Sequence, residues 1–169
     1  SSVMNFTVKV APEWSYDTDD DVNSVAFSAD GEYIVVGTVS DGQYLADGKV
    51  ILFKKGSSTP LWTYELDHCD SGTPCYVNAV AISDDGEYIV AGTGHSDDKV
   101  YLFNKSSNTP VWTYSADEDI YTVALSSGAE YIVAGGYDEV IVLGIDSSTP
   151  IWTASCGSQC KGRVDISAD

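Results

Sequence analysis

The chain has 169 residues, with 8 basic and 26 acidic side chains and a formal net charge of −18, a length that suits one domain. At 43% apolar and 11% aromatic it is too hydrophobic for a disordered acidic segment, and its charge disfavours nucleic acid and anionic membrane surfaces, which need clustered Lys and Arg. No apolar run approaches the ~20 residues of a membrane-spanning helix and no signal-peptide pattern opens the chain, so membrane insertion is not expected and an exported form would be the mature part.

In chain order, Val3–Val10 reads as a strand and Pro12-Glu13-Trp14-Ser15-Tyr16 as a second short apolar block. Four blocks then follow: Val22–Ser28, Tyr33–Gly37, Val50–Phe53 and Pro60–Tyr64. All four recur as Val77–Ser83, Tyr88–Gly92, Val100–Phe103 and Pro110–Tyr114, and again as Ile120–Ser126, Tyr131–Gly135, Val140–Leu143 and Pro150–Thr153. A last copy of the first block, Gly162–Ser167, closes the chain. The serines that end the first block stand at 28, 83, 126 and 167, steps of 55, 43 and 41.

Each block is a short β-branched and aromatic run bounded by turn chemistry, hence a strand. Asp30-Gly31 and Asp85-Gly86 supply positive-φ residues between the first and second strands, and Ser127-Gly128-Ala129 takes that place in the third repeat. Ser57–Pro60, Ser107–Pro110 and Ser147–Pro150 form the turn into the fourth strand. No segment carries a sustained 3.6-residue period, so essentially no helix is expected. Four strands per repeat of about 43 residues are the signature of a β-propeller blade.

Ser28–Gly37 and Lys99–Phe103 resemble the first three strands of WD-type blades, and Pro110–Tyr114 is similar to the tryptophan strand of quinoprotein-type repeats. The resemblance spans nearly the whole chain and points to WD-like or quinoprotein-like propeller repeats of secreted and surface proteins, many of them archaeal. Phe53, Phe103 and Leu143 stand at the family's Trp-Asp, and its Gly-His pair is absent.

The expected fold is all-β: three complete four-stranded blades (22–76, 77–119 and 120–162), with 1–21 as the outer strand of a preceding blade and 163–169 as the first strand of another. A closed propeller takes at least about four blades. The ring is then completed by further chain or by neighbouring copies, and both remain open. Strand completion between Arg163–Ile166 (Val164, Ile166) of one copy and Val3–Val10 (Val3, Phe6, Val8) of another would give rings or filaments.

Cys69 with Cys75, and Cys156 with Cys160, lie in short polar loops and read as two local disulfides of an oxidising compartment, with zinc as the rival. Asn5-Phe6-Thr7 and Asn104-Lys105-Ser106 are glycosylation sequons. Together these tilt the expected location toward the outside of the cell or its surface. Asp17, Asp19 and Asp21 are candidate calcium ligands, although the loop lacks the Gly and bidentate Glu of a calcium loop, and the plain reading is solvated turn Asp.

For catalysis the inventory is thin. His68 and His95 sit in loops of different repeats, and the acid pairs, all on turns, are expected to keep ordinary pKa values. A quinone-dependent dehydrogenase would resemble the tryptophan strand, but commonly brings adjacent cysteines, and none are adjacent here. Trp14, Trp62, Trp112 and Trp152 occur once per repeat and read as blade-packing residues. The expected function is a non-catalytic scaffold without a cofactor, for structure, adhesion or protein binding, with self-assembly and surface glycans as candidate partners. A quinoprotein fragment and an intracellular WD-like scaffold are the alternatives.

Overall fold

The computed structural model describes residues 13–39, 48–66, 75–157 and 162–167. Among the described residues, twelve strands lie in three antiparallel meanders. The first blade is β1 (Asp21–Phe27), β2 (Tyr33–Val39), β3 (Lys49–Lys54) and β4 (Trp62–Glu65). The second is β5 (Tyr76–Ile82), β6 (Tyr88–Gly94), β7 (Lys99–Asn104) and β8 (Trp112–Ser115). The third is β9 (Ile120–Leu125), β10 (Tyr131–Gly136), β11 (Glu139–Gly144) and β12 (Ser147–Ser155). One bridge, Val39 to Tyr76, joins the first two blades into a continuous sheet. The described residues contain no helix. This is a partial β-propeller of three blades.

The blades stack face to face, and the period of two along each strand divides their side chains between the two neighbours. Val35, Val50 and Leu52 of blade 1 share a core with Val77, Val80, Ile89, Ala91, Tyr101 and Phe103 of blade 2. The alternate residues Val90, Val100 and Leu102 point the other way, into a core with Ile120, Val123, Ile132, Ala134, Ile141 and Leu143 of blade 3. Burial on both faces is why the strands read as continuous apolar runs. Close stacking needs small residues at the contact. A Cβ on Gly37 would lie 2.6 Å from Val77 Cγ1, and one on Gly92 2.5 Å from Ile120 Cγ2.

Polar contacts repeat with the blades. Ser28 Oγ donates to Asp30 Oδ1 (2.6 Å) and accepts from the Tyr33 amide (3.0 Å), and Ser83, Asp85 and Tyr88 repeat this knot at 2.7 and 3.0 Å. Gly31 and Gly86 carry the left-handed backbone, with φ of 68° and 71°. In blade 3 that conformation falls on Ala129 (φ 54°), not on Gly128 beside it. Each inner strand also carries a bulge, at Asn23, Asn78 and Tyr121. Asn23 Nδ2 donates to the Val77 and Asn78 carbonyls at 3.2 Å, and Asn78 Nδ2 to the Ile120 carbonyl at 3.0 Å, so the bulges tie neighbouring inner strands together.

Candidate functional site

Two kinds of surface stand out: the end faces of the blade stack, and the rim where blade 2 passes into blade 3. The end faces follow from the repeat. Val80 and Val123, buried under the preceding blade, correspond to Val25 in blade 1, which is 48% exposed; Phe27 beside it is 61% exposed. The outer half of that face is covered by Trp14 and Tyr16, whose rings lie 5.5 and 5.0 Å from the Phe53 ring. This copies Trp62 and Tyr64 of blade 1 on Phe103 of blade 2, at 5.4 and 5.1 Å. Residues 14–16 thus occupy the place of a preceding outer strand.

At the other end the pattern is reversed. Trp62 Nε1 donates to the Lys105 carbonyl (2.9 Å) and Trp112 Nε1 to the Ile145 carbonyl (2.8 Å), each bolting a blade to the next. Trp152 is 50% exposed and Tyr131, the counterpart of Tyr33 and Tyr88, 45% exposed. The packing expected of all four tryptophans is therefore present at Trp14, Trp62 and Trp112, while Trp152 faces outward on the last blade. A hollow of about 370 Å³ opens beside it, lined by Glu130, Tyr131, Ile145, Asp146 and Ile151. In blades 1 and 2 the residue matching Ile145 is a lysine that pairs with Glu32 (Lys55, 3.8 Å) or Glu87 (Lys105, 2.8 Å). The inner half of this face holds residues 163–167. The Val164 amide donates to Thr122 Oγ1 (3.4 Å) as the Val80 amide donates to Ser24 Oγ (3.1 Å). Val164 and Ile166 are half-buried there, in the position of a further inner strand.

At the rim, the turn after β6 folds onto the residues that enter β9. His95, Ser96 and Asp98 all have positive φ, at 60°, 106° and 49°, strained values for side-chain-bearing residues. The turn is held by the Ala116 amide on the Asp98 carbonyl (2.8 Å), and by Asp119 Oδ1, which accepts from the His95 amide at 2.6 Å. Asp119 Oδ2 accepts from the Tyr121 hydroxyl (2.8 Å), and the His95 ring packs 4.8 Å from that of Tyr76. Burial and the hydrogen bond to Asp119 push the Asp98 carboxyl up to about 6. Asp119 is held low by those donors, against its own burial. Burial in the strained turn thus moves one turn acid, Asp98, above the ordinary carboxylate range. Tyr121 is pushed up to about 12 by its bond to Asp119. Asp97 is deeply buried and bonded to Thr93 (2.8 Å), Lys99 (2.5 Å) and Tyr101 (3.1 Å).

The remaining candidates are scattered. Asp17 Oδ1 accepts from the Asp19 amide (3.2 Å), while Asp20 between Asp19 and Asp21 pairs with Lys49 (2.7 Å). Among the described residues no group of three or more His, Cys, Asp and Glu is placed to hold a metal ion. Asn104 is the last residue of β7 rather than a free turn residue. Its Nδ2, where a glycan would attach, donates to Glu87 Oε1 (2.8 Å), and its Oδ1 accepts from Ser106. Cys75, buried at the head of β5, and Cys156, after β12, are disulfide-bonded. Cys69, Cys160, His68, Asn5, Val3, Phe6 and Val8 lie outside the described residues.

The WD domain, G-beta repeat model matches residues 12–54 and 59–104, more than half of the chain. The chain belongs to the WD40 repeat family. No curated protein matches it. Among solved structures, the chain is similar to BamB from Moraxella catarrhalis, with a TM-score of 0.62 and 22% identity over 85% of this chain and 39% of that one. The chain therefore spans about two-fifths of the BamB chain it matches, and the likeness is one of fold. A WD40 propeller segment with open end faces suits protein interaction.

Proposed function

We propose that this WD40 chain is a non-catalytic protein-binding scaffold, extracellular or at the cell surface, that associates end face to end face with further copies of itself. The observation that carries this reading is that positions open on the two ends, Val25 and Phe27 on one and Tyr131 and Trp152 on the other, are those the internal blades cover. Each end is also half-filled in a complementary way. Residues 163–167 take the inner-strand place on one end, and Trp14 and Tyr16 the outer-strand place on the other. Two copies meeting head to tail would contribute to one shared blade, which is β-augmentation in a propeller setting. The compartment assignment rests on the disulfide-bonded Cys75 and Cys156.

Sedimentation velocity over a hundredfold concentration range tests the association. Concentration-dependent growth that is lost in both Val25→Asp and Trp152→Asp supports it, and a monodisperse monomer throughout refutes it. Intact mass after alkylation without reduction tests the compartment: thiols that alkylate freely in protein from its natural source would contradict export.

A further inference from the structure

The dipeptide Asp-Gly occurs four times in the sequence, and two of these pairs, Asp30-Gly31 and Asp85-Gly86, lie wholly within the described residues. Asp-Gly is where a polypeptide most readily rearranges on its own, because glycine carries no Cβ to hinder attack of its amide nitrogen on the preceding carboxyl group. In the closed turns that attack is blocked at both pairs alike. The Gly31 amide is engaged by the Ser28 carbonyl and the Gly86 amide by the Ser83 carbonyl, each at 2.9 Å. Asp30 Oδ1 accepts from the Glu32 amide and Asp85 Oδ1 from the Glu87 amide, also at 2.9 Å. The Ser28 and Ser83 hydroxyls hold the two carboxyl groups below their ordinary range, as poorly electrophilic carboxylates. A difference in reactivity then comes from how easily each turn opens.

The surroundings of the two turns differ. Gly86 is buried, and a Cβ on it would lie 2.5 Å from Cδ2 of the Tyr33 ring of blade 1, whereas no atom lies within 4 Å of the same position on Gly31. The Tyr33 ring is itself held under the Lys105 ammonium, 5.3 Å from its centroid. Glu87, which follows Gly86, is fixed by Lys105 (2.8 Å) and by Asn104 Nδ2 (2.8 Å). Glu32, which follows Gly31, makes a looser pair with Lys55 (3.8 Å), both side chains being exposed. The bond from the Ala29 amide to the Asp84 carbonyl (3.0 Å) ties both turns equally and does not separate them.

We propose that Asp30-Gly31 is a site of spontaneous isoaspartate formation, and that the Tyr33 ring and Lys105 protect the matching Asp85-Gly86 pair. When the turn opens, the Gly31 nitrogen bonds to Cγ of Asp30 and a carboxyl C–O bond breaks. Water leaves with the amide proton, and a cyclic imide remains. A second water then attacks the ring at the Asp30 backbone carbonyl carbon and breaks its bond to the Gly31 nitrogen. The chain now runs through Cβ and Cγ of Asp30, one methylene longer, with a free carboxylate on Cα. The knot of Ser28, Asp30 and the Tyr33 amide is lost from blade 1, since its carboxylate has moved. No co-reactant other than water is needed, and the inference does not depend on association between copies.

Ageing of the folded wild type at about pH 6 tests it, at a dilution that keeps copies apart, followed by digestion and electron-transfer fragmentation to locate each isoaspartate. Methylation by an isoaspartyl methyltransferase counts them independently. Each rate is divided by the rate of the same pair in urea-unfolded chain, which removes intrinsic differences. Isoaspartate should form at Asp30 on the order of tenfold faster than at Asp85. Tyr33→Ala, and to a lesser extent Lys105→Ala, should accelerate the reaction at Asp85, with hydrogen exchange at 88–92 showing that blade 2 remains folded. The proposal is overturned by folded-state rates at Asp30 and Asp85 within about twofold of each other, or by a rate at Asp85 that rises in neither variant.

Discussion

Alanine at Gly86 should cost far more than alanine at Gly31, although the two glycines share one turn and nearly one φ, 71° and 68°. The left-handed backbone costs a side-chain-bearing residue ~1–2 kcal/mol, and alanine recovers ~0.4–1 kcal/mol by restricting the unfolded chain. Gly31→Ala, with no atom within 4 Å of the new methyl, should therefore destabilise by only ~0.5–1 kcal/mol. At Gly86 the new methyl would lie 2.5 Å from Cδ2 of the Tyr33 ring, which belongs to the preceding blade. That ring also lies under the Lys105 ammonium, 5.3 Å from its centroid, so it cannot shift without loss. Overpacking of this kind adds ~1–3 kcal/mol, bringing Gly86→Ala to ~1.5–4 kcal/mol. Urea unfolding of both variants at low protein concentration, with the m-value checked for constancy, measures the difference. Equal costs within ~0.3 kcal/mol would mean that Tyr33 does not cover the next blade's turn, and the stacking described here would be wrong.

Trp112→Ala should cost ~2–4 kcal/mol through lost packing and the orphaned Ile145 carbonyl, whereas Trp152→Ala, half exposed, should cost under ~0.5 kcal/mol in dilute solution; similar losses in urea melts would contradict the assignment of Trp152 to an open face. Ala129→Gly, joined with Gly128→Asp to restore the Asp-Gly pair of the other blades, should raise stability by ~0.5–1 kcal/mol, and a lower urea midpoint would count against the φ of 54° at Ala129. Asp85 is held low by the Ser83 hydroxyl, so its contribution is present above the ordinary carboxylate range and lost as the pH falls through its folded value. Asp85→Asn should accordingly flatten the acid limb of the stability–pH curve, and an unchanged limb would assign that limb to other carboxylates.

Strands were readable because burial on both faces leaves dense β-branched runs, and the blade because four such runs recur with one tryptophan each. The turn serines and Asp30-Gly31 were readable for the same reason: each is a local solution repeated in sequence. What escaped the sequence is what depends on neighbours. Asn23 and Asn78 stand inside the repeated block, yet their bonds to the next blade's bulge require the blades to be stacked. Gly128 looks like the turn residue of blade 3, but spacing from Ser126 puts the left-handed conformation on Ala129. Trp152 matches its counterparts in sequence and differs in being half exposed on the third blade. Asp98 and Asp119 are 21 positions apart, and only the fold of the 95–98 turn sets that turn against the residues entering β9.

We propose the open end faces as the binding surfaces of this chain. Sedimentation velocity of the wild type beside Trp152→Asp and Val25→Asp tests this. Association that increases with concentration, is lost in either variant, and is restored in part when the two variants are mixed, because each retains the face the other lacks, is the predicted result. A wild type that sediments as a single monomer at every concentration, or variants that associate as it does, would contradict the claim.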